Sequence, residues 1–498
     1  MAVNIFVDSY GGNVIGAVAD GKKLLEYRVE KKNKTVTIGS VFKGTVENVL
    51  PGMQAAFVNV GLQRNGYLSA TDMLMDKSEL VGKVEIPSIL DLKVGDEIMV
   101  QAVKDPAGSK GVRLTSNISF AGRYVVFMPT IDFLGVSRRI TNEKTREKLM
   151  KIAESLKPEG QGIIIRTAAE HVGKADIKRE ITFLTEQYLH ISHDFKYAPS
   201  PSCIYEEGNV AIRLIRDVYN PDIDKFIVAD KEIFENVSLY AKKYDHSLKR
   251  KIKLYNKKVD MFHHYGLDED VTTLLGNTVE LENGGYIVID KTEALTSIDV
   301  NTGKFVGENN LEDTVFKTNL VAAREIARQL RLRNLSGIIV VDFIDMEKEE
   351  HKEKLLEVLE NYLSEDREKC NLIGMTPLGL VEITRKKKRR QSASMLVKPC
   401  PYCQGSGVIQ SNEYIVMRVR TGLLDLFADG YDTAIVDINV EIADYILAKK
   451  LLKKDVERIW ADKRIYIIPH KTYHQQFFLI KGDNGRVVDV PDNAILLY

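Results

Sequence analysis

Cysteine is scarce in this sequence, and long hydrophobic runs are missing. Four cysteines among 498 residues are too few for a disulfide framework. No hydrophobic run approaches the ~18 residues that a membrane-spanning helix needs. The opening segment, MAVNIFVDSYGG, also lacks the charged, apolar and small-residue order of a signal peptide. We therefore expect a cytoplasmic protein of a bacterial type.

The sequence also lacks an excess of charge of either sign, because 70 lysines and arginines balance 70 aspartates and glutamates. Net charge therefore does not indicate a nucleic-acid partner, although a local basic surface still can. A hydrophobic fraction of 44% with 28% charged residues excludes a mostly disordered, collagenous or coiled-coil chain. The length corresponds to about three or four domains.

The order of predicted elements indicates a multidomain α/β protein. Two short strands flank the turn Ser9–Asn13, and about five glycine-punctuated strands follow between residues 38 and 119. That second pattern is typical of a small closed barrel of the OB type. Residues 209–214 have the pattern of a strand. The segment 242–258 holds eight lysines and arginines against one acid, and we interpret it as a solvated helix face.

Two aspartates end two apolar strands that a long helix separates. Asp299 lies in the predicted strand 295–300, Asp342 ends the strand 337–342, and the predicted helix spans 311–333. A strand–helix–strand unit of this length is a right-handed crossover, so its strands are parallel and often adjacent. We therefore expect both carboxylates side by side at the carboxyl ends of the strands, where open α/β sheets place their sites.

Paired carboxylates repel each other, and a divalent cation relieves the repulsion. Mg²⁺ prefers one or two carboxylates and keeps several waters, which suits metal-assisted hydrolysis of a phosphodiester. The alternative is that Asp299 and Asp342 each cap a turn or helix. Asn301 points to the same side as Asp299, so it orients that carboxylate, contacts a phosphate, or is a turn residue. Asp290 and Asp345 lie near strand ends but match this placement less well.

Cys400 and Cys403 form a CxxC followed by glycines, which is typical of a zinc half-site. A structural zinc usually takes four ligands, and the sequence has no second CxxC. Cys203, Cys370 or a histidine would complete the site within one chain. The same pair from a second subunit would complete it across a two-fold axis. A redox pair or inert thiols are the remaining alternatives.

Aromatic and basic residues occur together in the predicted barrel. Phe57 and Tyr67 lie on short strands near Lys110 and Arg113. OB folds bind single strands through stacked aromatic rings beside cations, so these residues favour RNA binding. The alternative for Phe57 is a place in the barrel core. The basic run 385–390 follows the α/β unit and also favours a polyanion.

Taken together, these segments resemble the ribonuclease E/G family, most closely its short ribonuclease G type without a degradosome scaffold. The matching segments follow the family's order: AAFVNVGLQRNGYL, SRRI, IIIRTAAE, SIDVNTGKF, GIIVVDFIDM and CPYCQGSG. The resemblance implies six parts of the chain. They are an RNase H-like subdomain (1–37 and 205–275), an inserted S1 RNA-binding domain (38–119), a 5′-sensor region (120–204), a DNase I-like catalytic subdomain (276–392), a zinc-link (393–410) and a small C-terminal domain (411–498).

The resemblance also implies roles for single residues. Asp299 and Asp342 would hold one catalytic Mg²⁺ with support from Asn301, and Cys400 and Cys403 would share one Zn²⁺ between two subunits. The positions implied to grip a 5′-monophosphate are Gly122, Val126, Arg166, Thr167 and Lys369. The positions implied to contact RNA in the S1 domain are Phe57, Tyr67 and Lys110. Because the family has an arginine where Lys369 stands, the bidentate fork is lost and the monophosphate preference should weaken.

The implied activity is that of a Mg²⁺-dependent endoribonuclease that cleaves single-stranded RNA and leaves 5′-phosphate and 3′-hydroxyl ends. Its implied substrates are ribosomal RNA precursors and messenger RNA. Its implied assembly is a homodimer or a dimer of dimers through the zinc-link. A non-catalytic RNA-binding or ribosome-associated protein is the rival interpretation, and a metal-dependent DNA nuclease is a third.

Overall fold

A computed structural model describes residues 3–32, 38–73, 89–104, 111–219, 223–244, 246–303, 311–387, 391–485 and 490–497. The chain divides into two compact units, Met1–Val397 and Lys398–Tyr498. Across the described ranges, no helix is long and apolar enough to cross a membrane.

The chain opens with three antiparallel strands, which confirms the two strands predicted around the turn Ser9–Asn13. They are β1 (Val3–Tyr10), β2 (Asn13–Asp20) and β3 (Lys23–Lys31). Each strand pairs with the next along the chain. Side chains of β1 such as Ile5, Phe6 and Val7 are fully buried, so this hairpin sheet lies in the interior of the first unit.

A closed barrel of five strands follows, as predicted. Its strands are β4 (Val41–Leu50), β5 (Ala55–Asn59), β6 (Gly66–Ser69), β7 (Glu97–Lys104) and β8 (Arg113–Thr115). The barrel closes because β4 pairs with both β5 and β7, while β8 joins β6 to β7. Its core includes Phe42, Val58, Leu68 and Leu114. The closure and strand count fit an OB-type fold.

A small mixed sheet and two helices come next. The elements are β9 (Phe120–Ala121), β10 (Val125–Met128), β11 (Leu134–Val136), α1 (Glu143–Leu156), β12 (Gly162–Ile165), α2 (Lys174–Tyr197) and β13 (Ser202–Tyr205). The strands lie in the order β11-β12-β10-β9, and both helices share their apolar core. The last strand, β13, pairs with β4 of the barrel instead.

The following segment completes the sheet that the first three strands begin. Its elements are α3 (Val210–Asp217), β14 (Ile223–Val228), α4 (Lys231–Tyr244), α5 (His246–Lys251), β15 (Ile252–Leu254), α6 (Met261–His264) and α7 (Asp268–Thr273). The strand order is β15-β14-β1-β2-β3, with β14 parallel to β1. We expected the basic run 242–258 to form one helix face. Instead, it passes through α5 and the edge strand β15. The exposed Lys253 on this edge strand discourages pairing with other chains.

The strand predicted at residues 209–214 is wrong, because this segment is the start of helix α3. The Asn209 side chain caps the helix by accepting hydrogen bonds from the backbone N–H groups of Ala211 and Ile212, at 3.1 and 3.2 Å. Val210, Ala211, Leu214 and Ile215 form its buried face. Their spacing places these four side chains on one side of a helix.

The last part of the first unit is a six-stranded sheet with two long helices. Its elements are β16 (Thr278–Glu280), β17 (Tyr286–Lys291), β18 (Leu295–Asn301), α8 (Leu311–Leu332), β19 (Gly337–Asp342), α9 (Glu349–Ser364), β20 (Cys370–Met375) and β21 (Leu380–Arg385). The order is β16-β17-β18-β19-β21-β20. Helices α8 and α9 pack on one face and share its core. Side chains on the opposite face, including Ser297 and Ile338, are exposed.

The second unit contains a four-stranded sheet and three helices. They are α10 (Asn412–Ala428), β22 (Thr433–Asn439), α11 (Val440–Ala448), α12 (Lys453–Arg458), β23 (Arg464–His470), β24 (Phe478–Asp483) and β25 (Ile495–Leu496). The order is β24-β22-β23-β25, and Trp460 lies in the core. The mixed α/β class and the barrel are thus confirmed, while the named subdomains and their boundaries stay predictions.

Candidate active site

Asp299 and Asp342 are direct neighbours across the parallel strands β18 and β19. The prediction that the crossover makes these strands parallel and adjacent is therefore confirmed. Neighbouring strands lie about 4.8 Å apart, so the two aspartates flank a single point on the sheet. Both are exposed on the face that α8 and α9 leave uncovered. A ligand can reach both carboxylates at once from this side.

Asn301 holds the Asp299 carboxylate in place. Its side-chain Nδ2 donates a hydrogen bond to Oδ2 of Asp299 at 2.8 Å. Two residues along an extended strand share one face, which is why the contact forms without a bend. Of the three roles considered for Asn301, orientation of the carboxylate is the one observed. The bond leaves Oδ1 of Asp299 available to a ligand.

The capping alternative for the two aspartates finds no support. Among the hydrogen bonds of the described chain, no backbone N–H donates to Asp299 or Asp342. The described residues also form no cluster of three or more His, Cys, Asp or Glu side chains that could hold a metal. Two carboxylates are a sufficient protein donor set for Mg²⁺, which takes its other ligands from water and phosphate. The residues present therefore fit one Mg²⁺.

The loop after Asp342 is pinned to helix α8 by a residue that the sequence patterns did not single out. Asn319 is fully buried, accepts a hydrogen bond from the Ile344 N–H at 3.1 Å and donates to the Ile344 carbonyl at 2.8 Å. The available signal was a polar residue at the helical spacing of the buried Val315 and Ala322. Asn319 therefore fixes the chain two residues beyond Asp342.

Glu312 holds the same loop further along. It accepts hydrogen bonds from the backbone N–H groups of Glu347 and Lys348, both at 3.3 Å, and its Oε1 lies 3.0 Å from Nδ1 of His351. The His351 ring stacks on Phe316, with centroids 4.1 Å apart. Together with Asn319, these contacts join the loop after Asp342 to helix α8. No sequence motif indicated them.

The barrel places Phe57 and Tyr67 next to each other. They are register partners on β5 and β6, and their ring centroids lie 5.9 Å apart at 66°. Both are partly exposed and neither belongs to the buried core, so the alternative that Phe57 is a core residue is wrong. Arg113 is held by a bidentate ion pair with Asp72, at 2.5 and 2.6 Å. Lys110 lies outside the described residues.

Arg166 sits at the centre of the predicted sensor. Its guanidinium donates to the Gly122 carbonyl and, at 3.0 Å, to Oδ1 of Asp217. Asp217 is shared with Arg216, whose Nε also donates to it at 3.1 Å. Burial alone would raise the pKa of Asp217, but the charges of Arg216 and Arg166 outweigh it and hold the pKa below its ordinary value. The structure thus joins Arg166 and Gly122, and adds a carboxylate that the sequence did not predict.

Gly122 is a close-packed position. A Cβ at this position would lie 2.5 Å from the carboxyl carbon of Glu180. Glu180 is buried and accepts hydrogen bonds from three successive backbone N–H groups, those of residues 123, 124 and 125, at 2.6–2.8 Å. Burial raises the pKa of Glu180, and these N–H groups oppose the rise. Val126 lies beyond them on β10, opposite Ile164 of β12.

A series of hydrogen bonds leads from Thr167 to the backbone just before Lys369. The Thr167 hydroxyl lies 3.3 Å from that of Ser137, which accepts from the Arg139 N–H at 3.4 Å. The Arg139 guanidinium donates to the carbonyls of residues 366, 367 and 368, at 2.9, 2.8 and 3.4 Å. Lys369 follows directly and is exposed. Hydrogen bonds therefore connect Thr167, through Ser137 and Arg139, to the backbone that precedes Lys369.

The CxxC lies in a tight glycine turn within the second unit. Gly405 and Gly407 adopt positive φ angles of 93° and 73°, which glycine tolerates. Hydrogen bonds from the backbone N–H groups of Gly407 and Gly405 lower the pKa of the Cys403 thiol, and Cys400 adds to this effect. A thiolate is the form that binds zinc, so the turn suits half of a tetrahedral site.

Other histidine and cysteine side chains are already engaged by partners within their own units. Nε2 of His474 lies 2.7 Å from the Tyr402 carbonyl, and its Nδ1 accepts from the Gln476 N–H at 3.2 Å. Both ring nitrogens are thus occupied, and the ring packs on Tyr402 at 4.3 Å. In the first unit, burial and the nearby Asp366 raise the pKa of Cys370 to about 12. Other partners thus hold the His474 ring, and the raised pKa of Cys370 disfavours the thiolate that zinc binds.

These features define a multidomain α/β protein that combines an OB-type barrel with a carboxylate pair on an open sheet face. Residues 119–388 match the Ribonuclease E/G family. The chain is 36% identical over 468 residues to Ribonuclease G of Escherichia coli (strain K12), covering 93% of this chain and 96% of that protein. Identity is also 36% over 473 residues to Ribonuclease G of Haemophilus influenzae, with the same coverage. Ribonuclease E of H. influenzae is 33% identical over 442 residues, which are 87% of this chain and 47% of that protein. The chain belongs to the ribonuclease E/G family and is of its G type.

Proposed function

We propose that this chain is a Mg²⁺-dependent endoribonuclease that cleaves single-stranded RNA and leaves 5′-phosphate and 3′-hydroxyl ends. The observation that carries the proposal is the in-register pair Asp299 and Asp342, with Asn301 hydrogen-bonded to the first. The names of the relatives, Ribonuclease G and Ribonuclease E, support RNA as the substrate. Ribosomal RNA precursors and messenger RNA are the substrates we propose.

Asp299 and Asp342 are the residues that would hold the Mg²⁺. Bound there, the ion would supply a nucleophilic water and would stabilise negative charge on the phosphoryl oxygens. Asn301 keeps the Asp299 carboxylate in a fixed orientation, and Asn319 keeps the backbone after Asp342 in place. Preorganised groups of this kind avoid reorganisation during the reaction.

The barrel is the proposed binding surface for the RNA strand. The exposed parts of Phe57 and Tyr67 offer two adjacent rings on which bases can stack, a contact worth about 1–3 kcal/mol per base. We include Lys110 as a phosphate contact because it follows the same strand region in the sequence. Single-strand binding of this type depends little on base identity.

Arg166 is the proposed reader of the 5′-phosphate. Arginine carries five N–H donors, and the bonds to Gly122 and Asp217 leave donors for a terminal phosphate. Arg166→Ala should lower kcat/KM for 5′-monophosphorylated RNA by about tenfold and barely change it for 5′-hydroxyl RNA. The measurement is the ratio of kcat/KM for these two substrates.

Two further variants separate this role from a structural one. Arg166→Lys keeps the charge and should retain part of the preference. Asp217→Asn removes the ion-pair partner but leaves Arg166 present, so it should keep the ratio above that of Arg166→Ala. An unchanged ratio in Arg166→Ala, together with lowered thermal stability, would assign Arg166 to the Asp217 ion pair alone.

We also propose that the protein works as a homodimer, or as a dimer of dimers, in the cytoplasm. Each chain would contribute Cys400 and Cys403 to one shared Zn²⁺. Two thiols in a turn that lowers the pKa of Cys403 supply half of a four-ligand site. A two-fold axis between subunits would bring two such cysteine pairs together and give four ligands.

A cleavage assay on matched RNA and DNA tests the proposed function. RNA and DNA oligomers of one sequence are incubated with Mg²⁺ or in the same buffer without it. Internal cuts in the RNA with Mg²⁺, bearing 5′-phosphate and 3′-hydroxyl ends, are expected, with no cleavage when Mg²⁺ is omitted. RNA binding without cleavage would favour a non-catalytic RNA-binding protein, and equal cleavage of DNA would favour a general nuclease.

A further inference from the structure

A shallow cleft between helices α1 and α2 is rich in lysine. Its volume is about 490 Å³, and four of its lining residues are lysines. We name this site the lysine cleft and define it by Lys144, Lys148, Lys151 and Lys174. Glu147 is the acid among its lining residues, so the surface of the cleft is strongly positive.

The lysines follow the geometry of the helix. Lys144, Lys148 and Lys151 stand at i, i+4 and i+7 of α1, which places them on one face at steps of about 4.5–6 Å along the axis. All three are exposed, and so is Lys174 at the start of α2. Such a row presents successive ammonium groups to one extended ligand.

These lysines also lack acidic partners within the described chain. No salt bridge there involves any of the four, whereas Lys157, just beyond the end of the same helix, lies 2.5 Å from Asp132. An ammonium group without a carboxylate partner keeps its full attraction for an outside anion. The lysine cleft is therefore built to attract negative charge rather than to stabilise the fold.

We propose that the lysine cleft binds the sugar–phosphate backbone of RNA, at a place separate from the barrel and from Asp299 and Asp342. Lysine is a compact point charge suited to phosphate, and backbone contacts need no base recognition. The cleft offers no aromatic ring for a base, and Ile152 is its one large apolar side chain, which disfavours a lipid surface. The inference rests on the proposed endoribonuclease function, because it takes RNA as the polyanion.

The expected consequence is a length-dependent affinity. A short oligomer that fills the barrel does not have to reach the lysine cleft, whereas a long or folded RNA can occupy both. Each lysine that neutralises a phosphate of a single strand adds about 0.7 to the salt dependence of log K. Three lysines should therefore contribute a slope of about 2.

The test compares two triple variants of the full chain. Lys144→Gln/Lys148→Gln/Lys151→Gln removes the row of charges, and glutamine has nearly the helix propensity of lysine. Lys22→Gln/Lys31→Gln/Lys454→Gln removes three exposed lysines elsewhere. Binding is measured without Mg²⁺ and without a chelator, from low to physiological salt. The probes are an oligomer of about 10 nucleotides, near the site size of one OB fold, a transcript of several hundred nucleotides, and phosphatidylserine vesicles.

The cleft variant should bind the transcript about tenfold more weakly, with a salt slope smaller by about 2, and should bind the short oligomer normally. Equal transcript affinity in both triple variants would overturn the inference, and so would loss of binding to phosphatidylserine vesicles with unchanged transcript affinity. If the wild-type protein cut neither RNA with Mg²⁺, the proposed function would fail, while the binding data without Mg²⁺ would still decide on the lysine cleft.

Discussion

Asp299→Asn or Asp342→Asn should lower kcat/KM for RNA cleavage by about a thousandfold or more, while RNA affinity measured without Mg²⁺ stays unchanged. Asparagine keeps the shape of aspartate but removes one of the two charges that would hold the Mg²⁺. A metal contributes several kcal/mol to transition-state stabilisation, and about 4 kcal/mol corresponds to a thousandfold in rate. Single-turnover cleavage at several Mg²⁺ concentrations, with parallel binding in buffer without Mg²⁺, measures both quantities.

The matched controls are Asp290→Asn and Glu382→Gln. Both residues are exposed on the same sheet, opposite Ser297 and Val340 respectively. They remove the same charge from the same surface without touching the aspartate pair, so their activity should stay near that of the wild type. Wild-type turnover in both aspartate variants at millimolar Mg²⁺ would show that the metal site lies elsewhere. An equal loss in the controls would point to the overall charge of this face.

The aspartate pair was predictable from the sequence because its placement depends on short-range pattern and topology alone. The sequence has an apolar strand, a long amphipathic helix and a second apolar strand in succession. This order predicts a right-handed crossover between two parallel strands. Once the strands are neighbours, the aspartate that ends each one falls at the same edge. Asn301 follows from the two-residue period of the same strand.

The supporting contacts were not predictable, because each joins residues that are far apart in the sequence. Asn319 and Ile344 are 25 residues apart, and Arg166 and Asp217 are 51 apart. The local sequence around Asn319 and around Asp217 does not indicate which residues they contact. The tertiary fold alone shows that Arg166 shares Asp217 with Arg216, which is why the sequence suggested phosphate binding without this ion pair.

The mistaken strand at residues 209–214 has a simple physical cause. The segment contains the β-branched Val210 and Ile212, and six residues are too few for periodicity to separate a strand from a helix. Asn209 was the decisive signal, because asparagine before an apolar run is a favourable helix cap. The cap and the packing of Leu214 against the first sheet outweigh the weak strand propensity.

The double variant Cys400→Ser/Cys403→Ser should lose its zinc and dissociate into monomers with lowered activity. The wild-type protein should contain about one zinc per two chains, because one turn supplies two thiols and a structural site takes four ligands. His474 is not free to serve as a ligand, since both of its ring nitrogens are engaged. Metal analysis with light scattering gives the stoichiometry and the assembly state, and a chelator should reproduce the effect of the variant.

Cys203→Ser/Cys370→Ser is the control with the same loss of thiols. Cys203 donates to the Tyr205 carbonyl, and Cys370 lies near Asp366, in both cases within the first unit. This variant should keep its zinc and its dimer. RNA binding without Mg²⁺ and without a chelator reports on the barrel, and residual cleavage reports on Asp299 and Asp342, which one chain supplies by itself. One zinc per chain in a monomer, or a dimer that survives Cys400→Ser/Cys403→Ser, would refute the shared site while leaving the aspartate site intact.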